Sequence, residues 1–491
     1  MGSSTRGLAP PLALCLLGAL LAVVAVGSVQ AEGLARAGDS ARPEGLAQAE
    51  GSMRLEGLAR AEGLAQAQGS AQAQGSAQTA RSVVEPGESI QKAINAADPG
   101  DTIVVKGVHR EDVVIRKDGI KLRGKDAVIK PPARADSPCS KVWGPEAICV
   151  LGDVNLDTFE VKSRVKDVSV SGFTIRGFQE GGRVEGEPVF SIDLTATRDA
   201  TVEENRTTGN VGGGIVVSTS IDTAVADNDV IGNPKSEAPG ILVTDSSLNT
   251  KVVKNVVKSY PEGENAIDVL FGSINTTIEG NDFVGNWAGP FVVNSTGTKI
   301  LSNVMSDSGI LGIFMTGPED ANAKVVGNDI SGGAWGIYVA DTHSGTVAEN
   351  EVHDNCAGMF FEAFEDDGLK LVGGFEVTGN TVENNTRACR AKDFGRAFSG
   401  IGIALLGASG MEVTDNDLSG NVPSGPTPVS GGVVVAQDPF SFGGAPEPED
   451  NSVVRNDFGR NKPDIFWDES GSGNRFVGND CDKSVPARLC D

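Results

Sequence analysis

Residues 324–339 read KVVGNDISGGAWGIYV, and residues 345–361 read GTVAENEVHDNCAGMFF. Each stretch contains an apolar pair, a turn Asn, a further apolar residue, a second polar turn, and then Gly followed by aliphatic or aromatic residues. Residues 276–293, TTIEGNDFVGNWAGPFVV, repeat the same pattern. A pattern that recurs with a period of roughly 20 to 50 residues is typical of stacked repeat architectures.

The first turn Asn of each repeat marks the period. It falls at Asn205, Asn228, Asn255, Asn281, Asn303, Asn328, Asn350, Asn380, Asn416, Asn456 and Asn479. The shortest interval is 22 residues, and the intervals of 30, 36 and 40 residues between Asn350 and Asn456 indicate inserted loops. Long loops on a rigid scaffold usually carry function, so these insertions are candidate functional segments. Apolar residues alternate over short runs that end at Asn or Gly, which tolerate left-handed backbone conformations. The sequence therefore predicts an all-β parallel β-helix with three short strands per coil and axially stacked Asn side chains.

Composition excludes several classes of protein. Of 491 residues, 39% are hydrophobic, 64 are Gly and only 5% are aromatic, which disfavours a helical bundle. The net charge of −25 repels phosphate backbones and anionic lipid, so neither nucleic-acid binding nor membrane-surface binding is predicted.

The chain divides into three regions. Residues 1–31 have the layout of a secretory signal cleaved after Ala31, with a retained membrane anchor as the alternative. Residues 32–79 form eight hexads such as EGLARA and EGLAQA; we interpret 32–81 as a flexible, disordered tether rather than a left-handed β-helix, because most hexads lack a large aliphatic residue. Residues 82–491 form the predicted β-helix. A secreted or cell-surface location follows from the signal.

Six cysteines remain after the signal, and an even count in an exported chain favours disulfides. The short separations predict Cys139–Cys149, Cys356–Cys389 and Cys481–Cys490. A metal-thiolate site is the alternative, but no CxxC pair and only three His residues are present.

Both ends of a solenoid need covering, because an open end would add foreign strands. In residues 82–105, the apolar residues Ile90, Ala93, Ile94 and Ala97 lie on one helical face, which predicts a short capping helix. Residues 473–491 are predicted to form a C-terminal cap closed by a disulfide.

The segment PGESIQKAINAADPGDTIVVKGVHREDVVI at 86–115 resembles the first segment of right-handed parallel β-helix proteins of the pectate-lyase-like superfamily. That superfamily includes carbohydrate-binding and sugar-hydrolase repeat domains. An aromatic residue commonly precedes the Arg-Glu pair in these proteins, whereas this chain has His109. The resemblance covers residues 82–491; it is specific for the fold and weak for activity.

The strand after each second turn should point its residues alternately inward and outward. The inward set is predicted to comprise Ile313, Met315, Ile337, Val339, Met359 and Phe361. The outward set, on successive coils, comprises Phe314, Tyr338 and Phe360. Phe291 extends it by one coil if Pro290 keeps the register. An outward aromatic column can stack sugar rings, and the alternative is a column covered by one of the inserted loops.

Carboxylates follow these strands. Asp341 and His343 lie on one coil, and Glu362, Glu365, Asp366 and Asp367 lie on the next. Stacking would bring them within several ångströms, where they could act as acid and base or, at Asp366 and Asp367, bind Ca²⁺ through oxygen ligands. A solvated acidic edge is the alternative.

A basic patch follows in the second insertion. It comprises Arg387, Arg390, Lys392 and Arg396, which we predict to contact substrate or to balance local charge. The superfamily resemblance implies a Lys, Arg or His base beside a uronate, for which Lys370, Arg390 and His343 are candidates. Asp438, in a segment distantly similar to the Asp-Pro-His of alginate epimerases but with Phe440 in place of the His, is a further substrate-binding candidate.

These observations predict an exported β-helix protein that binds a polysaccharide, with uronate polymers as one class; whether it also cleaves or epimerises the polymer is left open. The reaction type is left open among lyase, epimerase and hydrolase. The alternative is a non-catalytic surface or envelope protein with an adhesion or structural role. No cofactor is required on this interpretation, Ca²⁺ being the one ion considered, and a monomer is expected.

Overall fold

The computed structural model describes residues 80–140, 144–155, 158–178, 189–233, 235–236, 238–260, 263–363, 372–440 and 445–490. The predicted signal at 1–31 and nearly all of the tether at 32–81 lie outside these residues. Within them, no helix is long and apolar enough to cross a membrane.

The described chain winds as a parallel β-helix, as the repeat predicts. Each complete coil contributes one strand to each of three ladders, and strands pair with their equivalents one coil away, in parallel. The coil from Asp320 to Ala340, for example, contains Asp320–Val326, Asp329–Ser331 and Trp335–Ala340.

The first and second ladders merge in the early coils, where single long strands serve both. These strands are Thr102–Arg110, Lys121–Lys130 and Ser169–Arg176, preceded by Arg81–Val84. The first ladder continues through Thr201–Glu203, Ala224–Ala226, Lys251–Val253, Thr277–Glu279, Lys299–Leu301, Asp320–Val326, His343–Ala348, Gly373–Thr378, Glu412–Thr414, Ser452–Val454 and Arg475–Val477. The second ladder continues through Arg206–Thr208, Asp229–Ile231, Val256–Lys258, Asp282–Val284, Val304–Ser306, Asp329–Ser331, Glu351–His353, Thr381–Glu383, Asp417–Ser419 and Asp457–Gly459.

The third ladder is a separate sheet. It comprises Val113–Ile115, Ile148–Leu151, Phe190–Thr195, Gly213–Ser218, Ile241–Thr244, Asn265–Val269, Ala288–Val293, Leu311–Thr316, Trp335–Ala340, Ala357–Glu362, Ile401–Leu406, Gly431–Ala436, Ile465–Trp467 and Ser484–Val485. Two small pairings lie beside it: antiparallel Asp153–Val154 with Val161–Ser163, and parallel Val165–Lys166 with Thr197–Arg198.

Helices are few in the described residues. One spans Ile90–Ala96 and the other Ala391–Phe394. In the first, Ser89 accepts a hydrogen bond from the Lys92 N–H as N-cap, and Ile90 and Ile94 are buried in the main core.

The core is a continuous column of inward side chains, mostly Val and Ile, because each coil places the same position above the previous one. The turn Asn residues form a second column, and the chain of hydrogen bonds runs without a break from Asn205 to Asn479. All three predicted disulfides are present, with Cα–Cα distances of 6.5, 5.9 and 5.3 Å. The repeat thus determined both the inner column and the turns.

Candidate functional site

The outer face of the third ladder is the surface on which the candidate functional side chains lie. Loops from the second ladder reach one edge of this sheet, and loops to the first ladder leave from the other. Long insertions therefore lie beside the outer face of the third ladder, where they either line its edges or cover it.

The predicted aromatic column exists on that outer face. Phe291, Phe314, Tyr338 and Phe360 are register neighbours on four successive strands, so Pro290 does not disturb the register. Ring centroids are 4.6 Å apart for Phe291–Phe314, 5.4 Å for Phe314–Tyr338 and 5.8 Å for Tyr338–Phe360. The six residues predicted to point inward are all in the main core.

The predicted exposure of this column is wrong. Phe314, Tyr338 and Phe360 retain 2%, 5% and 0% of their accessible surface. They form a second apolar cluster, outside the main core, together with side chains of the inserted loops. These three residues therefore cannot stack a sugar in this conformation, and the covered-column alternative holds for them.

Three phenylalanines of the insertions form the aromatic cover, namely Phe394, Phe398 and Phe440. Phe398 stacks on Trp335 at 4.5 Å, and Phe440 lies 6.2 Å from Phe360. The Cys356–Cys389 disulfide and reciprocal backbone hydrogen bonds between Cys389 and Phe398 hold the first of these loops in place. The insertions, which the sequence suggested as carriers of function, here bury apolar surface.

A buried ion pair lies under the aromatic cover. Arg396 Nη1 is 2.6 Å from Glu362 Oε1, and Arg396 Nη2 donates to Glu362 Oε2 at 2.8 Å. The Tyr338 hydroxyl also donates to Glu362. The Glu362 side chain is 1% exposed and that of Arg396 is 20% exposed. The guanidinium lies 4.8 to 5.5 Å from the ring centroids of Phe440, Trp335 and Phe360, so cation–π attraction adds to the ion pair.

The surroundings of the ion pair shift the pKa values of Arg396 and Tyr338. Burial disfavours the charged form of Arg396, but Glu362 and Tyr338 outweigh it and the pKa of Arg396 is raised above its usual value. Burial, and then the charge of Glu362, raise the pKa of Tyr338 well above its usual value. Glu362, Arg396 and Tyr338 satisfy one another, which is typical of a structural lock.

Asp438 is the titratable member of this cluster. Burial and then the Glu362 charge raise the pKa of Asp438 to about 7, although the Phe440 N–H donates to its Oδ1 at 2.9 Å and Arg396 lies nearby. Asp438 and Glu362 retain 8% and 1% of their accessible surface, so a sugar cannot lie between the two carboxyls as it must in a glycosidase.

This raised pKa predicts a pH effect on stability. The unfolded state releases the Asp438 proton near pH 4 and the folded state near pH 7, so the stabilising contribution of the protonated form is lost as pH rises between these values. The free energy of unfolding of the wild type relative to Asp438→Asn should fall by about 3–4 kcal/mol from pH 4 to pH 7 and change little above about pH 8. Urea denaturation of both proteins at several pH values measures this, and a difference that does not vary with pH would contradict it.

The other predicted site residues do not join the cluster. Arg387 donates to the backbone oxygen of Gly332, while Arg390 and Lys392 both pair with Asp393. Asp341 follows the strand of Tyr338 in a left-handed conformation, and His343 begins a first-ladder strand, paired with Asp320 and Gly373. Four further predicted residues lie outside the described residues: Glu365, Asp366, Asp367 and Lys370. The Ca²⁺ hypothesis at Asp366 and Asp367 therefore stays a prediction.

The outer face of the third ladder is open elsewhere. Leu242, Asp268 and Phe291 are register neighbours on three successive strands, and all three are partly exposed. We call these residues the third-ladder opening. It is bounded by Val216, which is buried beside Phe190 and Ala238, and at the other end by the buried Phe314.

The third-ladder opening combines apolar surface with one titratable carboxyl. Although the Asp268 side chain is partly exposed, its surroundings desolvate the carboxyl enough to raise its pKa to about 7, even with Asn265 Nδ2 donating to its Oδ1 at 2.7 Å. Trp287 and Leu270, both partly exposed, pack with Phe291 against the edge of the covered cluster. The opening therefore offers aromatic and aliphatic surface around a carboxyl that changes charge near neutral pH.

A second carboxyl pair is buried further toward the N-terminus. Glu146 and Asp193 each retain 2% of their surface, and their carboxyls interact electrostatically. Burial and then Asp193 raise the pKa of Glu146, while burial raises the pKa of Asp193 to about 7 despite a hydrogen bond from Thr195. Their burial separates them from the third-ladder opening.

The family described as right handed beta helix region matches residues 114–283 and 265–481, which is well over half of the chain. The chain belongs to this right-handed β-helix family. No curated protein matches its sequence.

Several solved structures are similar to this β-helix protein. The catalytic unit of a GH87 α-1,3-glucanase from Streptomyces thermodiastaticus strain HF3-3 has a TM-score of 0.53 at 14% identity, covering 80% of this chain and 66% of that one. PfbA, a surface adhesin of Streptococcus pneumoniae, has 0.48 at 15% identity, covering 79% and 87%. A family 28 exopolygalacturonase of Yersinia enterocolitica has 0.47 at 12% identity, covering 82% and 79%. The chain thus spans just under two thirds of the glucanase unit, and identities this low show the fold alone.

In this β-helix protein, the sequence interpretation missed the third-ladder opening. Asp268 is the single charged residue in the strand Asn265–Val269 and occupies the same outward position as Phe291. Counting the alternation back by one more coil from Phe291 would have found it.

Proposed function

We propose that this right-handed β-helix protein binds an extracellular polysaccharide at the third-ladder opening. The observation that carries the proposal is the alignment of Leu242, Asp268 and Phe291 in one partly exposed column. The neighbouring aromatic residues on the same face are buried, which leaves this column as the accessible part of the aromatic face among the residues that the structure describes.

The chemistry of the third-ladder opening matches a sugar ring. A pyranose has C–H faces that pack on aromatic rings and hydroxyl groups that donate to carboxylates, and binding sites commonly combine apolar walls with a few placed polar groups. Two coil steps of about 4.8 Å give the column a length of about 10 Å, which suits two or so sugar units. Phe291 and Trp287 would stack a ring, and Asp268 would accept from a hydroxyl.

An extracellular location fits this proposal. Three disulfides persist best in an oxidising compartment, outside the cytosol. The predicted signal at residues 1–31 would take the protein there.

A second candidate is a non-catalytic surface protein that acts in adhesion or as a structural element. The observation in its favour is that Glu362, Arg396 and Tyr338 satisfy one another under the aromatic cover. With these three residues engaged, cleavage or epimerisation under the first proposal would depend on Asp268, whose pKa of about 7 suits a general acid or base.

Retention on a panel of acidic and neutral polysaccharides, with and without Ca²⁺, tests the proposal. Phe291→Ala should weaken binding of a retained polymer about 10-fold, equivalent to ~1.4 kcal/mol, because the stacking surface is lost. Phe159→Ala removes an exposed phenyl ring from the turn between Asp153–Val154 and Val161–Ser163, and serves as the matched control with unchanged binding.

The same titrations separate binding from catalysis. Asp268→Asn should abolish any change of affinity between pH 6 and 8, a window of roughly one unit on each side of the raised pKa. Release of reducing ends or of unsaturated products, lost in Asp268→Asn, would establish turnover. Absence of retention on every glycan tested would refute the proposal.

A further inference from the structure

An open cleft lies where the early strands of the merged ladders end. Its volume is about 530 Å³, and its lining comprises Arg110, Lys130, Pro131, Arg176, Gly177, Thr208 and Gly209. We call the group Arg110, Lys130 and Arg176 the cationic cleft. None of these residues belongs to the third-ladder opening.

The register places the three cations in a row. Arg110 is the direct partner of Lys130. Ile129 pairs with Ile175, so Lys130 and Arg176 follow on adjacent strands, and Arg176 pairs with Thr208 on the next coil. Successive positions in such a column are about 4.8 Å apart. The three cationic side chains can therefore face the same anionic polymer, and an anion beside them would relieve their mutual repulsion.

The two carboxylates that follow Arg110 in the sequence form hydrogen bonds outside the cleft. Glu111 accepts from the Gln91 N–H at 3.1 Å, and Asp112 accepts from the Ser137 N–H and the Ser140 hydroxyl, both at 2.8 Å. Among the described residues, no carboxylate lines the cleft, and none of the three cations forms an ion pair with a carboxylate.

The backbone keeps the cleft open. Gly177 and Gly209 both have positive φ, of 83° and 64°. A Cβ at Gly209 would meet no atom within 4 Å, and a Cβ at Gly177 would meet only Pro131, at 3.9 Å. A ligand can therefore approach the main chain between the cations.

The charge of this end of the domain differs from the rest. Residues 80–178 contain 16 Lys or Arg against 14 Asp or Glu, whereas residues 179–491 contain 20 against 46. An anionic ligand is therefore attracted to the early coils and repelled by the acidic remainder. This difference in charge favours binding at the cleft over binding elsewhere along the coils.

We propose that the cationic cleft binds an acidic polysaccharide, with its carboxylate or sulfate groups paired to Arg110, Lys130 and Arg176. A row of cations on successive coils matches a polymer with regularly spaced anions better than a single small anion. The described lining of the cleft contains no aromatic side chain on which a base could stack, which favours a polysaccharide over a single-stranded nucleic acid. This site is independent of the proposed function of the third-ladder opening.

Affinity electrophoresis and calorimetry with polygalacturonate, alginate, heparin, dextran, a single-stranded oligonucleotide and inorganic phosphate test this inference. Each single change, Arg110→Gln, Lys130→Gln or Arg176→Gln, should weaken binding of the acidic polymers roughly 2- to 5-fold, and the triple variant on the order of 10- to 100-fold. Affinity should also fall with salt, less steeply in the triple variant. Comparing the affinities for polygalacturonate and heparin shows whether the cleft prefers carboxylate or sulfate groups.

The matched control removes the same charge elsewhere. Lys251, Lys299 and Lys324 lie exposed on the first ladder, and their triple Gln variant should bind like the wild type. Equal losses in both triple variants would show a bulk-charge effect and overturn the proposal. So would failure of every acidic polysaccharide to bind, equal affinity for the oligonucleotide, or full competition by phosphate at the polymer's own concentration. Phe291→Ala should leave this binding intact, which separates the failure of one site from that of the other.

Discussion

Replacing Arg396 with Met is expected to lower the free energy of unfolding by about 3–5 kcal/mol. The change leaves Glu362, which is 1% exposed, without the cation that faces both of its oxygens. It also removes the guanidinium from among Trp335, Phe360 and Phe440. Urea denaturation followed by tryptophan fluorescence measures the loss, and increased binding of a hydrophobic dye would report that the aromatic cover has opened.

Two variants show whether the loss arises from an unpaired buried charge. The double variant Arg396→Met with Glu362→Gln should recover at least half of the lost stability, because no isolated charge remains. Arg390→Gln removes an exposed cation from the same loop and should change the free energy of unfolding by less than about 0.5 kcal/mol. A loss below about 1 kcal/mol for Arg396→Met would contradict the role of the ion pair as a lock.

Asn350→Ala is expected to destabilise the protein by about 2–4 kcal/mol. Asn350 Oδ1 accepts from the backbone N–H and the Nδ2 of Asn328, and Asn350 Nδ2 donates to Val325 O and to Asn380 Oδ1. Alanine leaves these buried groups unpaired in the middle of the column, where water does not reach them.

The matched control for this variant is Asn95→Ala. Asn95 is exposed at the end of the helix Ile90–Ala96, so its loss should change the free energy of unfolding by less than about 0.5 kcal/mol. Chemical denaturation of the two variants under the same conditions gives the comparison. Equal stability would mean that the stacked Asn side chains contribute no more than ordinary surface amides.

The repeat predicted the fold because every coil of a β-helix places equivalent residues at the same positions, so one repeat pattern describes the whole domain. A period of 22 residues, alternating apolar positions and a turn Asn together determine which residue lies above which. The neighbours Tyr338 and Phe360 followed directly, as did the inward Ile337 and Met359. The disulfides followed from their short separations along the chain.

The insertions could not be predicted from the period, because they lie outside it. Their length suggested function, but Phe394, Phe398 and Phe440 instead cover the outer aromatic face. The phenylalanines themselves indicated this, because large apolar side chains in inserted loops are usually buried against another surface. The pairing of Arg396 rather than Arg390 with Glu362 depends on the path of the loop, and spacing along the sequence does not determine it.

The most direct measurement of the proposed function is a crystal structure of the protein bound to an oligosaccharide from a polymer that it retains. We expect a sugar ring packed on Phe291 at about 4 Å, with a hydroxyl within about 3 Å of the Asp268 carboxyl. A sugar bound elsewhere with the third-ladder opening empty, or bound on Phe314 after displacement of the aromatic cover, would contradict the account.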